Sequence, residues 1–181
     1  MSYPTTATFV HEGDWSAETR AHPAMNWMEW MGENIFEPMK FDTPWSDIYV
    51  PEFELQKSDG TIISGGEKAW EELRQMYTPF AAYRHVPKLM YVSETSNGWR
   101  MFGQADFFVQ LHGSGASAKV KDNKGKEWDA SAPSAFLVDY VKDPSGRDGI
   151  KISKTHIYSD PLPVIGVMVK RGLVKPEDLM K

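Results

Sequence analysis

The chain has 181 residues, 41% of them hydrophobic and 25% charged, with a formal net charge of −5. That is length enough for one domain with a sizeable core, and the balance excludes a disordered chain. Interspersed acids and bases argue against a nucleic-acid surface, no run of about 18 apolar residues offers a membrane span, and the lack of cysteine removes disulfides, thiol nucleophiles and thiolate metal sites.

Met1 to Val10 has neither the basic start nor the apolar centre of a signal peptide, and a cytoplasmic location is expected. Residues 1–13 read as a loosely ordered arm, 14–173 as one domain and 174–181 as a tail. Asp14 to Glu37 reads as helix, with Asp14 or Ser16 as its cap and Ala24, Trp27, Met28, Met31 and Ile35 at helical spacing. Pro23 divides it into a short helix and a main one. Pro38 to Pro44 is a turn region, Trp45 to Gln56 a strand, and Ser58-Asp59-Gly60 a tight turn into Thr61-Ile62-Ile63. Gly65-Gly66 opens a helix with Ala69, Trp70, Leu73, Met76 and Tyr77 on its apolar side, stopped near Pro79. After a long hairpin, residues 113–133 read as a solvated loop, a small hairpin about Asp122 to Gly125, or a flap. Ser134 to Lys142 and Ile150 to Tyr158 are strands joined by a Pro-Ser-Gly turn. Val164 to Arg171 is a short helix closed by Gly172, and Glu177 to Lys181 a helical scrap.

The hairpin from Tyr83 to His112 is the most telling segment. Asn97-Gly98 is a strong signal for a two-residue turn, because a type I′ turn needs φ > 0 at both central positions. With that turn, Leu89 faces Asp106, His85 faces Gln110 and Tyr83 faces His112. Paired residues share a face, so Tyr83, His85, Leu89, Tyr91, Gln104, Asp106, Phe108, Gln110 and His112 project together. Val86, Met90, Val92, Met101, Ala105, Phe107, Val109 and Leu111 project the other way. The first face has the composition of a pocket lining. The second is apolar, as a dimer surface would be. A bulge between Leu89 and Asp106 would reassign the faces.

Helices followed by mainly antiparallel strands make an α+β domain in which a long, curved sheet wraps around the helices. Phe53-Glu54-Leu55-Gln56-Lys57-Ser58-Asp59-Gly60, the Gly65-Gly66-Glu67-Lys68-Ala69-Trp70 helix start, Trp99 to His112, Ile150 to Pro161 and Pro163-Val164-Ile165 with Lys170-Arg171-Gly172-Leu173 carry a resemblance over about residues 20–173. The chain resembles the SnoaL-like branch of the nuclear-transport-factor-two-like superfamily, of the type found in fungal secondary metabolism. The resemblance implies a cone-shaped α+β barrel. It also implies isomerase, cyclase, dehydratase or pure binding activity. The site is similar to that of scytalone dehydratase, with His85 and His112 where that family keeps two histidines and Tyr49 where it keeps a pocket tyrosine. The helix-one aspartate of that family has no clear counterpart, with Glu29, Glu33 and Asn34 nearby. Ser134 stands where the family has a serine, and Phe136 where it has an asparagine.

The expected catalytic residues are therefore His112, Asp106 and His85, since imidazole titrates near working pH and a carboxylate among aromatics gains basicity. For each an ordinary alternative stays open: strand histidines satisfied by backbone, and an Asp106 ion pair with Arg84 or Arg100. Tyr49, Tyr83, Phe108, Gln104, Tyr140 and His156 are the expected substrate-binding residues, with Tyr140 rather than Asp139 turned inward and His156 more readily read as a strand histidine near solvent. Trp27, Trp30 and Met31 read as core, and His11 and His22 as surface. No His-x-His or His-Glu-x-x-His pattern or phosphate-loop spacing occurs, so no metal and no cofactor are expected. The expected function is a cofactor-independent acid/base enzyme for a hydrophobic oxygenated small molecule, such as a polyketide or terpenoid intermediate. It would act as a homodimer paired through the apolar sheet face, with no nucleic acid or membrane partner. The alternative is a non-catalytic binding or dimerisation module of the same fold.

Overall fold

The computed structural model describes residues 8–113, 115 and 119–177. β1 (Thr8–Glu12) precedes α1 (Ala17–Ala21). Ser16 caps α1 reciprocally: its hydroxyl accepts from the Thr19 N–H, and the Thr19 hydroxyl accepts from the Ser16 N–H. The helix stops at His22 because Pro23 forces the preceding residue into extended backbone. Pro23 then opens α2 (Pro23–Met31) in the first turn, where a missing N–H does no harm. A π-helical turn, Gly32–Phe36, extends α2. A 3-10 turn at Trp45–Asp47 leads into β2 (Tyr49–Gln56), which pairs with β3 (Ile62–Ser64). α3 (Gly66–Tyr77) buries Ala69, Trp70 and Leu73 at helical spacing. The remaining elements are β4 (Phe80–Thr95), β5 (Gly98–Leu111), β6 (Val120–Lys121), β7 (Glu127–Trp128), β8 (Ala130–Lys142), β9 (Ile150–Ser159) and α4 (Leu162–Lys170).

Seven strands form one sheet in the order β1-β4-β5-β8-β9-β2-β3. All neighbours are antiparallel except β2 and β9. The architecture is the expected α+β one, a curved sheet whose inner face packs against the helices. Met90, Met101 and Val109 on that face are fully buried in one core with Met25, Trp27 and Leu73. This corrects the expected dimer surface: Met90, Val92, Met101 and Val109 are core, and pairing through them is not available. The outer face carries a row in direct register, Val10–Tyr91–Phe102–Leu137–His156, with Tyr91 and Phe102 exposed.

The hairpin register also differs from expectation. Thr95 pairs with Gly98 and Glu94 with Trp99, so the loop is Ser96-Asn97 rather than Asn97-Gly98. Gly98 serves close approach: a Cβ there would lie 2.1 Å from the carbonyl oxygen of Tyr140 on β8. This shift of two residues leaves the faces unchanged. The decisive change comes at Lys88, an extra residue on β4 between the Leu89–Gln104 and Pro87–Ala105 pairs. Beyond this bulge, His85 pairs with Phe107, Tyr83 with Val109 and Val86 with Asp106. Tyr83 and His85 thus turn inward, while Asp106, Phe108 and Gln110 turn outward. Pro87 suits the bulge because it has no N–H for the ladder. The Gly13 N–H donates to the Lys88 carbonyl at 2.9 Å, fixing the bulge to the end of β1.

Other differences are local. Thr8–Glu12, expected in a loose arm, is an edge strand. β8 begins four residues earlier than expected. β6 and β7 form a small hairpin held by Asp122, whose buried carboxylate accepts from the Trp128 indole, Arg84 and the Lys124 and Lys126 N–H groups. Burial raises its pKa, but these donors outweigh burial and hold it down at about 2. His11 and His22, expected at the surface, are half-buried, His22 stacking on Phe9. At the other end, Arg171 after α4 donates to the buried Asp129 carboxylate, which also accepts from Gln110, the Leu111 N–H and Lys119. Most of the expected helical scrap, residues 178–181, lies outside the described residues.

Candidate active site

Between the inner sheet face and helices α2, α3 and α4 lies a cavity of about 370 Å³. Its walls are mostly apolar: Met28, Met31 and Phe36 from the α2 region, Met76 and Phe80 near the end of α3, Met90 and Phe107 from the hairpin, Phe136 and Val138 from β8, and Val164 and Met168 from α4. The methionines give an unbranched, adaptable lining. Gly103, opposite Phe136, leaves room for that ring; a Cβ would come within 2.4 Å of it.

The polar groups are few and converge at one end. His85 reaches the cavity because the Lys88 bulge turns it inward. Its ring stacks on Phe107 with centroids 4.7 Å apart. The Tyr77 hydroxyl lies 3.4 Å from His85 Nε2, at the outer limit of a hydrogen bond, so both groups remain able to turn to a ligand oxygen. Tyr77 stacks on Tyr83 at 4.4 Å, and the Tyr83 hydroxyl donates to the Phe36 carbonyl at 2.5 Å. That bond ties β4 to the π-helical turn. Burial pushes His85 down to about 4, so its imidazole is neutral near pH 7. Burial also raises the hydroxyls of Tyr77 and Tyr49, which stay protonated donors.

Glu29, Glu33 and Glu37 also line this end, at four-residue spacing along α2 and the turn that follows. Arg20 grips Glu29 through two nitrogens, at 2.5 and 2.9 Å. Burial raises the Glu37 carboxyl; Arg84 partly opposes this, and the Glu33 charge reinforces it. Burial and the neighbouring charge thus make Glu37 a stronger base than an exposed glutamate, while burial makes His85 a weaker one. A smaller polar chamber of about 110 Å³ adjoins, sharing Glu29, Glu33, Glu37, Trp15 and His85 with the main cavity and adding Asp14, Arg20, Arg84 and Lys124.

Of the residues singled out from the sequence, His85 and Tyr49 line the cavity. Tyr83 is buried behind Tyr77. Tyr140 faces inward but is enclosed against Trp27, its hydroxyl unpaired among the described residues. Asp106 is on the outer face, 3.3 Å from Lys88, and Gln104 is exposed there too. Phe108 packs outside with Val86 and Trp128. His156 lies against Glu54 at 3.4 Å, also outside. His112 sits exposed past the end of β5, its Nε2 3.3 Å from the Thr78 carbonyl. The structure therefore separates His85 from both His112 and Asp106. Sequence reasoning missed Tyr77, read as core, and Glu37. The repeated glutamate spacing from Glu29 was the available signal for Glu37, and Pro87 inside a strand was the signal for the bulge. Among the described residues no group of three or more His, Asp or Glu side chains could hold a metal ion, and no helix is long and apolar enough to cross a membrane.

No family model matches the chain, and no curated protein matches it. Solved structures do. The Kfla4162 protein of Kribbella flavida is 13% identical, with a TM-score of 0.60 over 80% of this chain and 93% of its own. A putative scytalone dehydratase from Novosphingobium aromaticivorans is 11% identical, with a TM-score of 0.58 over 80% of this chain and 89% of its own. A putative SnoaL-like polyketide cyclase from Jannaschia sp. CCS1 is 14% identical, with a TM-score of 0.52 over 86% of this chain and 94% of its own. At such identities the likeness speaks for architecture rather than chemistry. With its curved sheet closed over α2, α3 and α4, this chain has the SnoaL-like, nuclear-transport-factor-two-like fold.

Proposed function

We propose that the protein is a cytoplasmic, cofactor-independent acid/base enzyme acting on a hydrophobic oxygenated small molecule, by isomerisation, cyclisation or dehydration. The observation that carries this is the convergence of Glu37, His85 and Tyr77 at one end of an otherwise apolar cavity. A polyketide- or terpenoid-like intermediate fits such a lining. Glu37 takes a proton from the carbon beside a carbonyl, and the C–H electron pair passes to the carbonyl oxygen. The neutral His85 ring and the Tyr77 hydroxyl donate to that oxygen as charge develops, in a site largely emptied of water. Reprotonation at another carbon completes an isomerisation, attack on an electrophilic carbon completes a cyclisation, and expulsion of a β-hydroxyl as water completes a dehydration.

The test needs no knowledge of the natural substrate. Lipophilic ketones such as 2-tetralone are screened for binding by calorimetry. Exchange of their α-protons in D2O is then followed by NMR, with no cofactor added. Exchange faster than in buffer, and slowed in Glu37→Gln and His85→Ala, is expected. Ketones that bind without accelerated exchange would leave the binding-module reading standing instead.

A second copy of the chain is proposed as the partner, through the outer face that carries Tyr91 and Phe102 rather than the inner one. Sedimentation should show a dimer that Phe102→Glu converts to monomer; a monomeric parent protein at micromolar concentration counts against it.

A further inference from the structure

The cavity floor is laid out in rows across the sheet. His85, Phe107 and Ala132 form one row in direct register, Pro87, Ala105 and Ser134 the next, and Met90, Gly103 and Phe136 the third. The first and third rows carry rings, and the middle row carries none. The Ser134 hydroxyl is spent on the Ala105 carbonyl at 3.1 Å, so the middle row is a low floor between Phe107 and Phe136. The first and third rows lie four residues of β5 apart, about 13 Å.

Phe136 differs from the other rings of the lining. Phe36 pairs with Tyr77, Tyr49 with Phe53, and both Phe80 and His85 with Phe107. Phe136 pairs with no ring among the described residues, and it is only partly buried. Its orientation follows from Gly103. A Cβ at Gly103 would lie 2.4 Å from the tip of the Phe136 ring and 2.8 and 2.9 Å from the two carbons beside the tip. Three ring carbons at nearly one distance place the ring face down across the glycine. A ring meeting it end-on would hold the flanking carbons well beyond the tip. Glycine is required there because any side chain would take the ring's place. One face of Phe136 thus rests on β5, and the other is turned to the cavity it lines.

We propose that Gly103 and Phe136 select the shape of the ligand: the free face of Phe136 is a plate for a flat, unsaturated ring, and a puckered body of the same size is taken less well. Offset stacking adds to the gain from buried area, and a saturated ring forgoes it. The ligand then runs from the plate, over Ala105 and Ser134, to the donors His85 and Tyr77. Phe136 touches the ligand, whereas Gly103 is a positioning residue that acts through Phe136. The inference rests on the small-molecule reading above but not on its acid/base chemistry, because its test reads binding alone.

Two ketones of one skeleton test it by calorimetry: 2-acetylnaphthalene and its saturated counterpart, 2-acetyldecalin. Phe136→Leu keeps an apolar side chain and removes the plate. It should weaken the aromatic ketone about three- to tenfold and the saturated one by less than about twofold. In NMR spectra, the ring protons of bound 2-acetylnaphthalene should lose part of their upfield shift in this variant. Gly103→Ala lifts the ring off β5 and should weaken the aromatic ketone too, yet cost little more once Phe136 is replaced. Phe136→Leu, at a partly buried position, decides the matter even where Gly103→Ala fails to fold. Equal losses for both ketones in Phe136→Leu overturn the inference, as does a proton shift that does not move. A Gly103→Ala loss as large in the Phe136→Leu background as in the parent overturns the role of the glycine. If neither ketone binds the parent, the inference and the small-molecule reading fall together. Ketones that bind as expected without accelerated proton exchange uphold the inference and remove only the acid/base chemistry.

Discussion

The two halves of the β4–β5 hairpin behave differently, although their sequences alternate in the same way. In the half nearest the turn, from Leu89 to Gln104, alternation alone assigns the faces: Met90, Val92 and Met101 go in, and Tyr91 and Phe102 go out. In the half beyond Lys88, alternation still assigns β5 but gives the opposite of what occurs on β4. His85 and Phe107 line the cavity together, and Asp106 is left outside with Lys88. A single bulged residue thus decides which titratable groups meet a ligand. The half with unbroken pairing builds core, with Met90 alone of its buried methionines reaching the cavity, and the half behind the bulge brings His85 and Phe107 to the site.

Giving Lys88 a partner is the strongest way to break this comparison. One residue inserted in β5 between Gln104 and Ala105 would restore unbroken pairing and turn Tyr83, His85, Phe107 and Val109 outward in exchange for Arg84, Val86, Asp106 and Phe108. Loss of more than about 4 kcal/mol, or of cooperative melting altogether, is expected. An insertion variant that melts like the parent and still binds the same ligands would show that the bulge is dispensable.

Two substitutions then separate the halves. His85→Ala, behind the bulge, should slow proton exchange about 10²- to 10⁴-fold while the protein stays folded by circular dichroism. Met101→Ala, in the turn half, should leave a ligand-saturated rate close to the parent's and cost about 2–5 kcal/mol in urea unfolding, because it opens a cavity in a fully buried position. Equal effects of both changes on rate would erase the division of labour.

Acidification sharpens the contrast. His85 has its folded-state pKa lowered by burial to about 4 from an ordinary 6.5. The unfolded chain therefore binds a proton first as pH falls, and stability drops between about pH 6.5 and 4, then levels. Glu37, raised by burial, acts in the opposite sense, favouring the folded state as it protonates. The difference between parent and His85→Gln unfolding curves isolates the histidine; a difference that does not change across that window would mean the ring is not buried as the structure has it.

The smallest effect belongs to Asp106→Asn. On the outer face beside an exposed lysine, its stability change should stay within about 0.5 kcal/mol, and binding and exchange should be unchanged. A large loss of turnover there would return the site to the outer face.

Much of the fold was legible because its signals are local. Pro23 dividing two helices, Ser16 as a cap and the glycines before α3 act through their immediate neighbours. The site was legible only in part. His85 and Tyr49 were singled out and line the cavity, but His85 was assigned to the wrong company. Its expected partners Asp106 and His112 share its chain segment and, by unbroken alternation, its face. Its actual neighbours come from elsewhere: Tyr77 from the end of α3, Glu37 from the turn after α2, and Phe107 from across the bulge. Asn97-Gly98 misled in a related way. Its glycine answers to the backbone of β8, which lies more than forty residues further along the chain.

By itself, then, the sequence determined the kinds of elements, their order, the apolar and polar stripes along each strand, and the α+β class, because a period of two or of 3.6 residues is written into neighbouring side chains. Only the tertiary structure decided which stripe faces the helices beyond Lys88. That choice depends on the Gly13 N–H bonded to the Lys88 carbonyl, on Lys88 falling out of the ladder, and on Phe107 and Tyr77 closing around His85. Each of these is a contact between residues distant in the chain or a break in pairing, and alternation along one strand cannot register either.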